Sequence, residues 1–232
     1  MSDDHTSKRP VDGDLAVVGT DTGVGKTVVT AAIVHRLRER GVDARAIKPV
    51  QTGYPDDDDA AVVKNTCADS EAATTLRTYE EPLAPAVAAR RAGDPIDYES
   101  FLEATRTARD TADVGVVEGA GGLRVPLAGD EEIVDLVRDL GVPALVVARS
   151  GLGTLNHTAL TVEALRRRDV PVAGVILNGY TGASVAERTN PEELRRMCDL
   201  PVWTLPKREL SNPADIRELA AEVPSVHRQM GE

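Results

Sequence analysis

Cysteine is nearly absent from the 232 residues: Cys67 and Cys198 stand far apart, with no CxxC and no Cys/His pairing. That excludes a disulfide framework and a zinc site of the usual spacing, and it fits a reducing cytoplasm. Lysine is scarce too, at Lys8, Lys26, Lys48, Lys64 and Lys207 only, with arginine supplying every other cation. The net charge is −11 and no Lys/Arg cluster goes beyond Arg166-Arg167-Arg168. A nucleic-acid partner, which needs clustered cations, is therefore not expected. The acidic balance resembles that of salt-adapted proteins, whose surfaces stay hydrated and self-repelling. Missing as well is any apolar run near the roughly 18 residues that a membrane-spanning helix needs. The first stretch, "MSDDHTSKRPVDGD", is polar and acidic, so neither secretion nor membrane insertion is expected. Internal repeats and low-complexity linkers are also lacking.

What the chain does have is alternation. Residues 1–13 read as a disordered tail and 14–232 as a single domain, the length being ample for one core. "LAVVGT" is a short apolar run of the kind that forms a strand buried on both faces, ending near Gly19. Val29, Ile33 and Leu37 follow at helical spacing, and Gly41 closes that helix. "DARAIKPV" reads as a second strand, then an aspartate-rich stretch, "YPDDDDAAVVKN", leads into an inserted, partly irregular region holding Pro82, Pro85 and Pro95. Regularity returns with a helix over 97–112, the strand "VGVVEGA", a helix around "EEIVDLVRDLG", the strand "PALVVARS", a helix from Thr154 to about Arg168, and the strand "VAGVILN". Five strands alternating with helices predict an α/β fold: a parallel sheet flanked by helices on both faces, of the P-loop NTPase type. In such sheets ligands bind beyond the carboxyl ends of the strands, which gathers the loops after Gly19, Val50, Val117, Val147 and Ile176.

The first of those loops is the most informative. In "VVGTDTGVGKTVV", Gly23 and Gly25 let backbone N–H groups turn inward, Lys26 can reach the outer phosphates, and Thr27 can ligate Mg²⁺ at a helix N-terminus. The bland alternative is a glycine turn joining strand to helix. Thr20 stands where phosphate loops usually carry their first glycine, with Gly19 one place earlier to serve a loop of slightly different shape. Partition-type ATPases place a signature lysine near the start of this loop; Asp21 occupies that register here, which weakens that reading.

"GTDTGVGKT" resembles the nucleotide loop of the dethiobiotin synthetases, ATP-dependent enzymes that close the ureido ring in biotin synthesis. Other segments resemble that family in the same order: "KPVQTG" its lysine motif, "EEPLAPAVAA" its Pro-x-x-Pro segment, "VEGAGGLRVPL" its acidic glycine-rich motif, and "GLGTLNHTALT" its substrate loop. The match covers most of residues 15–208. It implies 7,8-diaminopelargonic acid, carbon dioxide and MgATP as substrates of a homodimer. One amine becomes a carbamate, the carbamate attacks the γ-phosphoryl group, and the second amine closes the ring as phosphate leaves. Two departures stand out: Gly23, where some members carry an acidic residue, and Ala86, where a histidine is common.

The resemblance assigns roles residue by residue. Lys48 and Lys26 are implied as catalytic; before Pro49, which keeps the chain extended, Lys48 can project into the crevice, although position alone also allows a surface lysine. Thr22 and Thr52 are implied as substrate contacts. Gly23, Val24, Gly25, Lys26, Thr27 and Val28 would hold the phosphates, with Glu118, Gly119, Ala120 and Gly121 opposite. Glu118 can bind Mg²⁺, the alternative being a solvated loop carboxylate. Its implied partner is Asp59, in a run with Asp56, Asp57 and Asp58 that is otherwise a solvated face. Thr27, Asp59 and Glu118 are thus the implied metal set. Asn178 and Gly179 are implied at the purine, although asparagine is also an ordinary turn former; Pro206, Lys207 and Arg208 of "LPKRE" are placed there by resemblance too. Thr154 reads as a helix N-cap whose following N–H groups suit a carboxylate. The resemblance makes Thr154, Leu155 and Asn156 the substrate-carboxylate turn, supplied across the dimer. His35 and His157 are given no chemical role. Two other classes share the fold, a partition-type nucleotide-switch ATPase and a cobyrinate-amidation-type synthetase. The former calls for the loop lysine and a basic or amphipathic surface, the latter for a glutaminase domain.

Overall fold

The computed structural model describes residues 13–224; the expected disordered tail, apart from Gly13, lies outside the described residues. The chain opens with β1 (Leu15–Gly19) and α1 (Lys26–Glu39), then β2 (Ala44–Thr52), α2 (Asp59–Cys67), β3 (Ala73–Tyr79), α3 (Pro85–Arg91) and α4 (Tyr98–Arg109). Next come β4 (Val114–Glu118), a small antiparallel pair β5 (Pro126–Ala128) and β6 (Glu131–Glu132), α5 (Ile133–Leu140), β7 (Ala144–Arg149) and α6 (Thr154–Arg166). The last elements are β8 (Val172–Tyr180), α7 (Val185–Cys198), β9 (Val202–Pro206) and α8 (Pro213–Ala220). Seven strands form one parallel sheet in the order β3-β2-β4-β1-β7-β8-β9. The expected α/β architecture is thus present, with the phosphate-loop strand at its centre.

Alternation along the strands sends side chains into two cores. Ala16 and Val18 of β1 join Val146 of β7, Phe101, Val137 and Leu165 on one side of the sheet. Leu15 and Val17 join Val147, Ile33, Val63 and Leu219 on the other. Each fully buried aliphatic side chain of this kind contributes roughly 1.5–3 kcal/mol, which fixes the register of the central strands.

Three expectations change. The irregular region after β2 contains two helices and a strand, α2, α3 and β3, and the sheet gains an edge strand on each side, β3 and β9. β2 runs two residues past the expected end at Val50, so that Thr52 lies inside the strand rather than after it. Pairing of β2 with β4 ends at Ile47↔Val117, whereas pairing with β3 continues to Thr52↔Tyr79. The second half of β2 therefore overhangs the end of β4. Finally, Thr154 is the first helical residue of α6, and Gly153 is the cap, at φ 91°. A left-handed entry of that kind suits glycine, not a β-branched residue. No helix among the described residues is long and apolar enough to cross a membrane.

Candidate functional site

The loop between β1 and α1 folds over Gly19. A Cβ there would lie 3.0 Å from both the Asp21 carbonyl oxygen and Val24 Cγ2, and 3.1 Å from Lys26 Cδ. Gly19 thus supplies the close approach that Thr20 could not. Gly25 caps α1 at φ 97°, and a Cβ on it would fall 2.0 Å from Asn178 Nδ2. Asn178 donates that amide to the Val24 carbonyl at 3.0 Å, bracing the loop from the end of β8. Lys26 is buried and donates Nζ to the carbonyls of Gly121 (2.7 Å) and Asp21 (3.1 Å). Burial, reinforced by the charge of Lys48, pushes its pKa down to about 8.

The parallel register of β2 and β4, which pairs Ile47 with Val117, sets Lys48 beside Glu118, the last residue of β4. Lys48 Nζ lies 3.1 Å from Glu118 Oε1 and 2.5 Å from Asp59 Oδ2, and donates to the Gly119 carbonyl at 3.3 Å. The aspartate run sorts itself by helix geometry. Asp58 caps α2, accepting from the Ala61 N–H at 3.0 Å, which makes Asp59 the first helical residue, turned toward the lysine. Gln51 Oε1 accepts from the Asp59 N–H at 3.3 Å. Thr27 Oγ1 lies 2.7 Å from Asp59 Oδ1 and 2.8 Å from Glu118 Oε1, and with one proton it can donate to only one of them at a time.

Glu118 and Lys48 are 2% and 6% exposed, so neither is the solvated side chain that position alone allowed. Burial opposes the Lys48 charge, but Glu118 and Asp59 outweigh it and hold its pKa above the usual lysine value. Burial outweighs Lys48 at Glu118 and, with repulsion from Asp59, raises that carboxyl above its usual range. Burial also acts against ionisation of Asp59, yet Lys48 prevails and lowers it. Among the described residues no group of three or more His, Cys, Asp or Glu side chains is placed to hold a metal unaided. A hydroxyl and two carboxylates are, however, an all-oxygen set of the kind a hard cation takes when phosphate oxygens complete its shell.

These residues line an open cleft of about 570 Å³. One wall is the phosphate loop with Thr22, Gly23, Gly25, Lys26, Thr27 and Val28; a second is Lys48, Thr52, Asp59, Glu118, Ala120 and Gly121. A third, Pro82 to Pro85 with Val125, is apolar. Gln51 and Asp57 also face the cleft; they lie inside "KPVQTG" and the aspartate run, where neither was assigned a role from sequence. Arg149, another omission, reaches the loop from the end of β7. Its Nη2 donates to the Thr22 carbonyl at 3.1 Å and lies 3.7 Å from Asp21 Oδ2. A charged residue ending an otherwise apolar strand was the available signal.

The remaining candidates stand outside this cleft. Asn178 and Gly179 precede Tyr180, the last residue of β8, which pairs with Pro206 of β9 and accepts the Lys207 N–H at 3.0 Å. Arg208 turns away, bonding Glu218 (3.1 Å) and Glu222 (2.8 Å) of the C-terminal segment. Thr154 is buried, its hydroxyl 3.3 Å from that of Thr158, while Asn156 is exposed and Leu155 half-buried. Leu152 beside them is 96% exposed.

Known proteins resemble the chain as follows. A family model described as an AAA domain matches residues 14–223. The ATP-dependent dethiobiotin synthetase of Haloferax mediterranei is 57% identical over 202 residues, 87% of each chain. Its counterpart in Anaeromyxobacter dehalogenans is 46% identical over 183 residues, 77% of this chain and 78% of that one. The Bacillus licheniformis enzyme is 36% identical over 210 residues, 88% of this chain and 89% of that one. Among solved structures, the Pyrococcus furiosus cell division ATPase MinD superposes with a TM-score of 0.53 at 18% identity, over 90% of this chain and 98% of that chain. At that identity the likeness speaks for fold alone.

Proposed function

We propose a division of roles from one premise: the chain belongs to the ATP-dependent dethiobiotin synthetase family. It is an ATP-dependent cyclo-ligase that converts 7,8-diaminopelargonate, carbon dioxide and ATP to dethiobiotin, ADP and phosphate. The observation that supports the residue roles best is the convergence of Lys48, Asp59, Glu118 and Thr27 at the mouth of the phosphate loop.

The loop N–H groups from Gly23 to Val28 and the Lys26 ammonium hold the phosphates, with Gly119, Ala120 and Gly121 opposite. Thr27, Asp59 and Glu118 would hold Mg²⁺, which when bound neutralises phosphate charge. Thr22 and Thr52 face the diamine. Once one amine has become a carbamate, its oxygen forms a bond to the γ-phosphorus as the bond to ADP breaks. Lys48 lies where that negative charge gathers. Removing one such preorganised donor typically costs 10²–10³ in rate. The second amine then attacks the carbamoyl carbon, a five-membered ring closes, and phosphate departs. Both amines belong to one molecule, so this step gains from orientation and needs no protein nucleophile.

Asn178, Gly179, Pro206 and Lys207 form the purine side; Arg208 belongs to it through its backbone, its guanidinium being held by Glu218 and Glu222. The turn Thr154 to Asn156 takes the substrate carboxylate, and because it does not line the cleft of its own chain, it serves a second copy in a homodimer. Exposed Leu152 and Leu160, at 96% and 55%, suit that contact. The enzyme works in the cytoplasm. The test is to incubate purified protein with diaminopelargonate, bicarbonate and MgATP, at high and low salt, and follow dethiobiotin by mass spectrometry. Absence of product from folded, ATP-binding protein would refute the assignment.

A further inference from the structure

The turn that leads from β7 into α6 is gripped from behind by a helix with no part in the chemistry. Glu187, in the first turn of α7, is 9% exposed. Its Oε1 accepts from Ser150 Oγ at 2.8 Å and the Thr181 N–H at 3.4 Å. Its Oε2 accepts from Thr181 Oγ at 2.6 Å and from the N–H groups of Ala183 (3.1 Å) and Ser184 (3.4 Å). One turn along, Asn190 is 4% exposed and donates Nδ2 to the carbonyls of Ser150 (2.9 Å) and Gly151 (3.1 Å). A capping box needs only the Ser184 contact to start the helix. The bonds to Ser150 and Gly151 lie outside that cap and reach the end of a different strand.

Their effect is on the next helix. Gly151 O also accepts the Thr154 N–H at 3.3 Å, so the carbonyl that Asn190 holds is the one that sets the first residue of α6. We propose that Glu187 and Asn190 are positioning residues for substrate recognition, fixing Ser150 and Gly151 so that the Thr154 to Asn156 turn presents a carboxylate receptor. This rests on the reading that the turn binds the substrate carboxylate. Glutamine cannot replace Glu187 quietly: both carboxylate oxygens face donors, and an amide must turn its own N–H₂ toward one of those sets.

The test compares diaminopelargonate with its carboxamide, in which the carboxylate is neutral, in the wild-type and Glu187→Gln enzymes. Wild type should prefer the acid. In Glu187→Gln the KM for the acid should rise about tenfold, while kcat at saturation, the KM for ATP and the KM for the carboxamide move by less than about twofold. An acid-to-amide preference unchanged in the variant, or kcat and ATP affinity falling in parallel, would overturn the proposal. If wild type does not prefer the acid, it is the carboxylate reading that has failed. Should Glu187→Gln not fold, Asn190→Ala removes only the two bonds to the Ser150 and Gly151 carbonyls and should shift the same ratio less; an unshifted ratio there has the same overturning force.

Discussion

Replacing Lys48 by methionine keeps most of the buried stem and removes only the charge between Asp59 and Glu118. At the observed 2.5 Å and 3.1 Å, each attraction is worth roughly 5–7 kcal/mol gross at an effective dielectric near 20. Relief of the ammonium's desolvation returns much of that. Removing one partner of a buried ion pair nevertheless costs about 3–5 kcal/mol, because the other charge stays behind uncompensated. Two carboxylates stay behind here, so about 3–5 kcal/mol is expected near neutral pH in metal-free buffer. The pH dependence follows from the variant's carboxylates. Asp59 loses the ammonium that lowers its pKa, and Glu118, already raised, goes higher. A carboxyl whose folded pKa exceeds its unfolded value destabilises fully above the folded pKa and not at all below the unfolded one. The deficit should therefore shrink between about pH 7.5 and pH 5, and magnesium chloride should restore part of it at the higher pH. Urea unfolding can be followed by Trp203, the only tryptophan. A loss under about 1 kcal/mol, or one as large at pH 5 as at pH 7.5, would refute the reasoning.

Lys26 titrates at about 8 in the free protein, and phosphate would raise that value. ATP affinity should accordingly be constant below that pH and weaken above it, by up to about tenfold per unit; calorimetric titrations that show no decline, or one that persists in Lys26→Met, would contradict the assignment. Gly174→Ala puts a Cβ 2.3 Å from Trp203 Cζ3 and 2.9 Å from the Pro201 carbonyl oxygen. It should cost about 1–3 kcal/mol through overpacking, with a lower Tm and unchanged ATP affinity. The net charge of −11 predicts a Tm that climbs with potassium chloride as self-repulsion is screened; a flat melting curve series would remove the salt-adapted reading.

The parts of the fold visible in the sequence are those written locally. β1, the phosphate loop and α1 show an apolar run, two glycines and a helical period within 25 residues, and each step points to the same structure. β3, "ATTLRTY", and β9, "VWTLP", lie at sheet edges where half-buried residues erase both the continuous run and the strict alternation. α7 was hidden by its polar content, since Glu187 and Asn190 are buried for their hydrogen bonds rather than their hydrophobicity and Pro191 interrupts the pattern. At the site, residue types were legible and their register less so. Nothing local says that β2 outruns β4, so the strand read as ending at Val50 and Thr52 as a residue beyond it. Helix capping, decided by Asp58 and Gly153, separated Asp59 from its neighbours and moved Thr154 one place inward.

The central position of β1 divides the molecule's labour in space. On one flank, β4 and β2 carry Glu118 and Lys48, with Asp59 just beyond; on the other, β7 and β8 carry Arg149, the turn into α6, and Asn178. β1, which leads into the phosphate loop, is the strand that pairs with both flanks, with β4 on one side and β7 on the other. Free-energy changes from substitutions on opposite flanks should therefore add, while those on one flank should couple through shared hydrogen bonds. Such a layout lets the loops of one flank drift toward a new substrate without retuning the phosphoryl chemistry of the other.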